Sequence, residues 1–204
     1  MTKIDNPLFD GQTDIAAAIA AAGNGETQAL ITERLRELAA PPQKSGNLSG
    51  DLTGALQADG KALSFLAGAF TLSPFLRDCA LIAPENLVEA LSRPFGVGAQ
   101  AITGETAALW RTAQSDADLM TGLRRAKRRM ALCLGLADLG GWMEACDITR
   151  HLSQFADAAL SATVDHLLRA QHQAGRIQLP DPDNPSAGSG LIVLGMGKYG
   201  AFEL

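Results

Sequence analysis

SDADLMTGLRRAKRRMALCLGLADLGG, Ser115 to Gly141, is the stretch that decides the fold class. Leu119, Leu123, Ala126, Met130, Cys133 and Ala137 follow one another at steps of 4, 3, 4, 3 and 4 residues. That spacing draws one apolar line down an α-helix and does not fit the period of two of a strand. Ser115, with Asp118 three residues on, reads as an N-cap in capping-box form with Asp in place of Glu, and Gly140-Gly141 reads as the stop. Ile148, Leu152, Phe155, Ala159 and Ala162 repeat the pattern at steps of 4, 3, 4 and 3, with Gly175 as the end. Two long amphipathic helices joined by a short glycine-containing turn should pack against each other, so the chain is expected to be mainly α.

Working toward the N-terminus, proline and glycine cut the chain into further helices. Expected are Asp14–Ala22, closed by Gly23-Asn24-Gly25, and Glu26–Ala40, stopped by Pro41-Pro42, the two making an antiparallel pair. Residues 41–60 read as a loop with a short helix at most. Lys61–Thr71 reads as a buried helix. Ser73-Pro74 caps and launches Pro74–Ile82, and Pro84 repeats the device for Glu85–Ser92. Pro94, Gly96 and Gly98 form a break before a helix that runs through Trp110, and Trp110 and Trp142 are expected to anchor core.

Toward the C-terminus the character changes. From Pro180 the chain lacks an apolar period and reads as an exposed linker. Leu191-Ile192-Val193-Leu194 is a β-branched run bounded by glycines, expected to be a buried strand, followed by the loop Gly195-Met196-Gly197-Lys198-Tyr199-Gly200. A strand needs hydrogen-bond partners, and nothing earlier in the sequence supplies them, so a longer parent protein is expected. Without such a sheet, residues 191–204 should be mobile or dock elsewhere.

Composition bounds the function. The chain has 204 residues, 47% hydrophobic and 19% charged, with a mean hydropathy of +0.06, enough to bury a core and unlike a disordered chain. A net charge of −5 gives no bulk attraction to nucleic acid or anionic lipid, so neither partner is expected. Cys79, Cys133 and Cys146 form no metal or redox spacing and suit a reducing compartment, the cytoplasm by default. The apolar run Ile15–Ala22 follows Asp5, Asp10 and Asp14 rather than a basic segment, which excludes a signal peptide. No uncharged run approaches the roughly 20 residues of a membrane span.

The strand, glycine loop and lysine together carry a phosphate-binding logic. Glycines let amides approach an anion, and Lys198 adds charge. Gly195-x-Gly197-x-x-Gly200 also satisfies a dinucleotide fingerprint, while a tight turn after a strand is the plainer alternative. Arg124, Arg125, Lys127, Arg128 and Arg129 place five cations in six residues. They are read either as the solvated face of an amphipathic helix or, at Arg124, Arg125, Arg128 and Arg129, as an anion or acidic-partner contact. Because 124/128 and 125/129 are like-charge i, i+4 neighbours, carboxylates or phosphates are expected nearby. His151, His166 and His172 do not share a helix face, as metal ligation would require, and are expected at the surface or its boundary. No acid pair and no Ser-His-Asp set completes an active site.

The segment Leu191-Ile-Val-Leu-Gly-Met-Gly-Lys-Tyr-Gly-Ala-Phe-Glu-Leu204 resembles the start of the nucleotidyltransferase signature of the bifunctional glutamine synthetase adenylyltransferase/adenylyl-removing enzymes. Phe70-Thr-Leu-Ser-Pro-Phe-Leu-Arg77 is similar to that family's S-P-F-L segment. Leu123–Met130 resembles its basic helix, and Leu152–Leu160 the helix after it. The likeness covers about residues 61–204. It implies a mainly α chain: a multi-helix N-terminal domain over residues 1–180, a linker at 181–190, and at 191–204 the first strand and Gly-rich loop of a truncated α/β nucleotidyltransferase domain. It further implies an enzyme that attaches AMP from ATP to a tyrosine of glutamine synthetase, and removes it by phosphorolysis to ADP in the half to which this chain corresponds. PII signalling proteins and glutamine would control it.

Gly195, Gly197, Lys198 and Gly200 match the family's loop, and Glu203 matches an acid of unassigned role. Ala201 replaces a glycine common in the family. The Asp-x-Asp that would hold Mg2+ is expected beyond Leu204, so the chain alone is expected to be inactive and to contain no catalytic or metal-ligating residue. A non-catalytic helical docking module for glutamine synthetase or PII is the alternative. A dinucleotide-binding oxidoreductase, which needs a helix after Gly200 and an acid about 20 residues on, ranks last.

Overall fold

The structure, a computed structural model, describes residues 14–22, 25–39 and 60–204. The loop expected at 41–60 therefore lies almost wholly outside the described residues. In chain order the helices are α1 (Asp14–Ala21), α2 (Gly25–Ala39), α3 (Gly60–Leu72), α4 (Pro74–Ile82), α5 (Pro84–Leu91), α6 (Phe95–Thr112), α7 (Asp116–Leu139), α8 (Ala145–Gln173) and the single turn α9 (Gly197–Gly200). No strand occurs among the described residues.

The chain divides into two compact units, Met1–Gly98 with Arg128–Glu144, and Ala99–Lys127 with Ala145–Leu204. In the first unit α1 and α2 both pack on α3. Gln28 Nε2 donates to Ala20 O at 2.8 Å. A Cβ built on Gly68 of α3 would lie 2.1 Å from Ile19 O, so backbone meets backbone there and glycine is required. Among the described residues of this unit, Leu35 of α2, Phe65, Leu66 and Phe70 of α3, Leu87 and Leu91 of α5 and Met130, Leu132 and Leu136 of α7 are the fully buried large side chains. Ser73 caps α4 by accepting from Leu76 N at 3.4 Å, with Pro74 opening the helix as expected.

The α7 stop is a Schellman motif. Gly141 takes φ +67°, Trp142 N donates to Ala137 O at 2.9 Å and Gly141 N to Asp138 O at 3.0 Å. Gly175, at φ +70°, ends α8 in the same way through Arg176 N to Gln171 O and Gly175 N to His172 O. The motif after α7 delivers Trp142 between Phe65 (centroids 4.9 Å apart, 76°) and Phe95 (5.8 Å, 29°).

One expected break is a helix. α6 begins at Phe95 and runs through Gly96 and Gly98. Gly98 serves packing rather than a turn, because a Cβ there would stand 3.3 Å from Cys133 Sγ. Cys133 is itself buried, and its thiol donates to Phe95 O at 3.4 Å. Burial pushes the Cys133 thiol up to about 12, with the Glu89 carboxylate adding to the effect and Arg93 opposing it. Burial raises Cys79 as well. Since the thiolate is the reactive form, Ellman's reagent at neutral pH should titrate the exposed Cys146 rapidly and leave Cys79 and Cys133 unmodified until denaturant is added. Rapid reaction that survives Cys146→Ser would contradict this assignment.

In the second unit, Ser115 accepts from Asp118 N at 3.2 Å, and Asp118 Oδ2 accepts from Gln114 N at 3.0 Å, a capping box displaced by one residue from the usual pairing. Ile102, Thr106 and Trp110 of α6, Leu119 and Ala126 of α7 and Ile148, Ser153, Ala158, Ala162 and His166 of α8 are buried. His166 Nε2 lies 2.9 Å from Asp116 Oδ1, which joins the start of α7 to α8. Among the described residues no single helix is long and apolar enough to cross a membrane. The bent pair α3 and α4 meets that test by length and composition, but α3 spends its apolar side chains on the core.

Candidate functional site

After Gly175 the chain turns back along α8 and is pinned to it at four levels. Leu179 N donates to His172 Nδ1 (3.3 Å), Ser186 N to Asp165 Oδ1 (3.0 Å), Tyr199 Oη to Asp157 Oδ1 (2.6 Å) and Leu204 N to Ser153 Oγ (3.4 Å). As the tail numbers rise the α8 numbers fall, so the segment is antiparallel to the helix. Leu179 and Pro185 are buried, whereas Leu191–Leu194 are exposed.

The buried strand expected within a sheet is not formed here; the segment docks on α8, the outcome expected of it without a sheet. The four residues have no ladder partner among the described residues, and an extended segment with no neighbour leaves its amides and carbonyls to solvent. The side-chain alternation of a strand survives nonetheless. Leu191 (54% exposed) and Val193 (50%) line a cleft, and Ile192 (78%) and Leu194 (81%) face out.

That cleft has a volume of about 560 Å³. Leu160, Ser161 and Val164 of α8 form one wall, and the other brings Leu191 and Val193 together with Gly195, Tyr199 and Gly200. The loop is closed tightly, since a Cβ on Gly200 would fall 2.6 Å from Gly195 O. Gly197 takes φ +61°. Gly200 N donates to Met196 O at 3.4 Å, and the amides of Gly197, Lys198 and Tyr199 precede that first intrahelical donor. Glu203 N to Lys198 O (2.8 Å) and Phe202 N to Tyr199 O (3.1 Å) end the turn, with Phe202 at φ +59°, where a side chain costs about 1–2 kcal/mol relative to glycine. Lys198 is exposed. The structure thus brings Gly195, Gly197, Lys198 and Gly200 into one small loop at the mouth of a cleft, a placement that carries a phosphate only if the amides and the ammonium converge on it.

The basic run is not brought together with this loop by any hydrogen bond or ion pair among the described residues. Arg124 and Arg125 are exposed, and Arg128 is half-buried. Arg129 is taken by a residue 40 positions earlier: its Nε and Nη2 bind the two oxygens of Glu89 at 2.7 and 2.5 Å, with Arg93 Nη2 3.9 Å from the same carboxylate. A bidentate, largely buried pair holds the geometry of α5 against α7. Sequence reasoning expected carboxylates near this run without locating Glu89, because no local spacing connects the two. It also missed the burial of His166, whose partner Asp116 lies 50 residues away.

With helices, loop and cleft in place, the class is a mainly α-helical chain ending in a small closed glycine loop. The family model for glutamate-ammonia ligase adenylyltransferase matches residues 63–204, and the chain belongs to that family. A bifunctional glutamine synthetase adenylyltransferase/adenylyl-removing enzyme of Agrobacterium fabrum is 45% identical over 144 residues, 69% of this chain and 15% of that protein. Its counterpart in Mesorhizobium japonicum is 42% identical over 179 residues, 87% of this chain and 18% of that protein, and the one in Xanthobacter autotrophicus is 34% identical over 182 residues. The chain therefore spans 15–18% of the length of these relatives. No solved structure matches it significantly.

Proposed function

We propose that this chain is the part of a glutamine synthetase-modifying enzyme that leads into its adenylyl-removing centre. Residues 1–180 form the helical domain, 181–190 the linker, and 191–204 the first strand and phosphate loop of an α/β nucleotidyltransferase domain. The observation that supports this most is the strand-like alternation of Leu191–Leu194 running straight into the closed glycine loop, since such a run needs only a neighbouring strand to join a sheet.

In this reading the nucleotide is substrate or product, ATP in the transfer direction and ADP in the phosphorolytic one. The loop amides donate to phosphoryl oxygens, and Lys198 offsets their charge without constraining their geometry, as an ammonium does. Gly195, Gly197 and Gly200 keep the backbone near the anion. Magnesium, which would polarise the phosphoryl oxygens, does not fit the residues described: among them no group of three or more His, Cys, Asp or Glu side chains stands where a metal ion could be held. The chain alone is expected to give no turnover. Glutamine synthetase as protein substrate, PII proteins as regulators and a cytoplasmic setting complete the proposal; the free thiols Cys79, Cys133 and Cys146 support the last.

The test uses the full-length parent. Lys198→Ala and Gly200→Val should each lower phosphate-dependent ADP release from adenylylated glutamine synthetase by about a hundredfold or more, with circular dichroism unchanged. Unaltered rates in folded variants would sink the loop's role. A second reading, a helical docking module, is favoured by Arg124, Arg125 and Lys127, which are exposed and form no ion pair among the described residues. It predicts that charge reversal at Arg124 and Arg125 weakens association with glutamine synthetase at low salt and leaves ADP release from a small adenylylated peptide untouched.

A further inference from the structure

A cavity of about 210 Å³ opens in the second unit where the ends of α6 and α8 meet the start of α7. Its back is Trp110, only 4% exposed. Two guanidiniums gather on this one indole, with the Cζ of Arg111 4.3 Å and that of Arg169 5.6 Å from the ring centroid. Each is attracted to the ring face, yet each repels the other. Neither has a carboxylate within ion-pair distance among the described residues. Asp116, the acid that lines the same cavity, is already engaged by His166 at 2.9 Å. The elsewhere comparable pair, Arg93 and Arg129, shares the carboxylate of Glu89, so this cluster differs in lacking its counter-ion.

We propose that this cavity binds a small oxyanion, a phosphate or carboxylate group held by the guanidiniums of Arg111 and Arg169 that gather at Trp110. Guanidinium forks match two-oxygen faces and are weakly hydrated, so they bind such groups at low desolvation cost. The cavity admits one such group and its immediate substituent, which excludes a polyanionic strand. The inference is independent of the nucleotidyl reading, because the cavity shares no residue with the glycine loop.

The Trp142→Phe chain leaves Trp110 as the sole indole and so reports on this site alone. Inorganic phosphate, acetate and chloride are titrated at matched ionic strength while its emission is followed. A saturable response to phosphate or acetate is expected, weakened about tenfold by Arg111→Gln or Arg169→Gln with far-ultraviolet circular dichroism unchanged. Tighter phosphate assigns the ligand to a phosphate compound, and tighter acetate to a carboxylate. A response reproduced by chloride, or one that persists in the double variant, overturns the site. Should Trp142→Phe fail to fold, calorimetric titration of the unsubstituted chain and of the two glutamine variants reads the same outcomes.

Discussion

Phe65→Ala should lower the unfolding free energy by about 3–5 kcal/mol, the range for emptying a large aromatic site in a packed core. Phe65 has no exposed surface and meets Trp142 edge-on at 4.9 Å, and Trp142 in turn stacks on Phe95. Truncation therefore removes one ring's transfer free energy and also the edge-to-face contact, worth about 0.5–1.5 kcal/mol in itself. The surroundings are poorly placed to relax into the void. α1 already touches the backbone of α3 at Gly68, and Leu66, Ala69 and Phe70 on the same helix are fully buried. The check is urea denaturation followed by tryptophan emission, with Phe75→Ala as the control. Phe75 is 58% exposed, and its loss should stay within about 0.5 kcal/mol. A Phe65→Ala cost no larger than the control's would mean that the aromatic trio is not a core.

The ionisation of Tyr199 should occur near pH 12 in the folded chain and move back toward 10 in Asp157→Asn. The cause is first the hydrogen bond its phenol donates to Asp157, then burial, then the negative charge of that carboxylate. Ionising the phenol destroys the donor and sets two anions 2.6 Å apart. The sign follows from linkage: the folded state holds this proton more tightly than the unfolded state does. The contact's stabilisation is therefore complete below about pH 10 and is lost as pH rises through about 12. Tyr199 is the sole tyrosine, so tyrosinate absorbance reads this one group without assignment. Proteolysis of residues 181–204 should accelerate over the same window. A midpoint near 10 in the unsubstituted chain would show that the tail does not rest on α8.

These two contacts differ in how far the sequence foretells them. The line Leu119, Ala126, Met130, Cys133 and Ala137 is buried as its spacing requires, and Leu123 is half-buried. The helix ends at Gly141 and Gly175 fall where glycine's access to positive φ places them. On α8 Ile148 and Ala162 are buried as the spacing requires, but between them the buried face is shifted by part of a turn. Leu152, Phe155 and Ala159 are half-buried, while Ser153, Ala158 and His166 are buried. The polar members of that buried set have partners that no local pattern announces, Leu204 for Ser153 and Asp116 for His166. Gly98 lies within a helix rather than at a break for the same reason. A glycine needed for room beside Cys133 is written with the same letter as a glycine needed for a turn.

The candidate loop divides along the same line. Its glycines, its lysine and the alternation of Leu191–Leu194 are local and could be read in the chain. Whether the run becomes a strand is a property of a pair of strands, because the ladder's donors and acceptors belong to two segments, and here the segment lies against α8 instead. By itself, then, the sequence determined most of the helices, the caps at Ser73 and Ser115, the stops at Gly141 and Gly175, and the family to which the chain belongs, since propensity, period and capping act within a few residues. Tertiary structure decided which arginine of the basic run is bound, that Arg111 and Arg169 gather on Trp110, and where the tail rests. Ion pairs and cavities join residues about 40 to 60 positions apart in this chain, and their free energy exists only once packing has removed them from water.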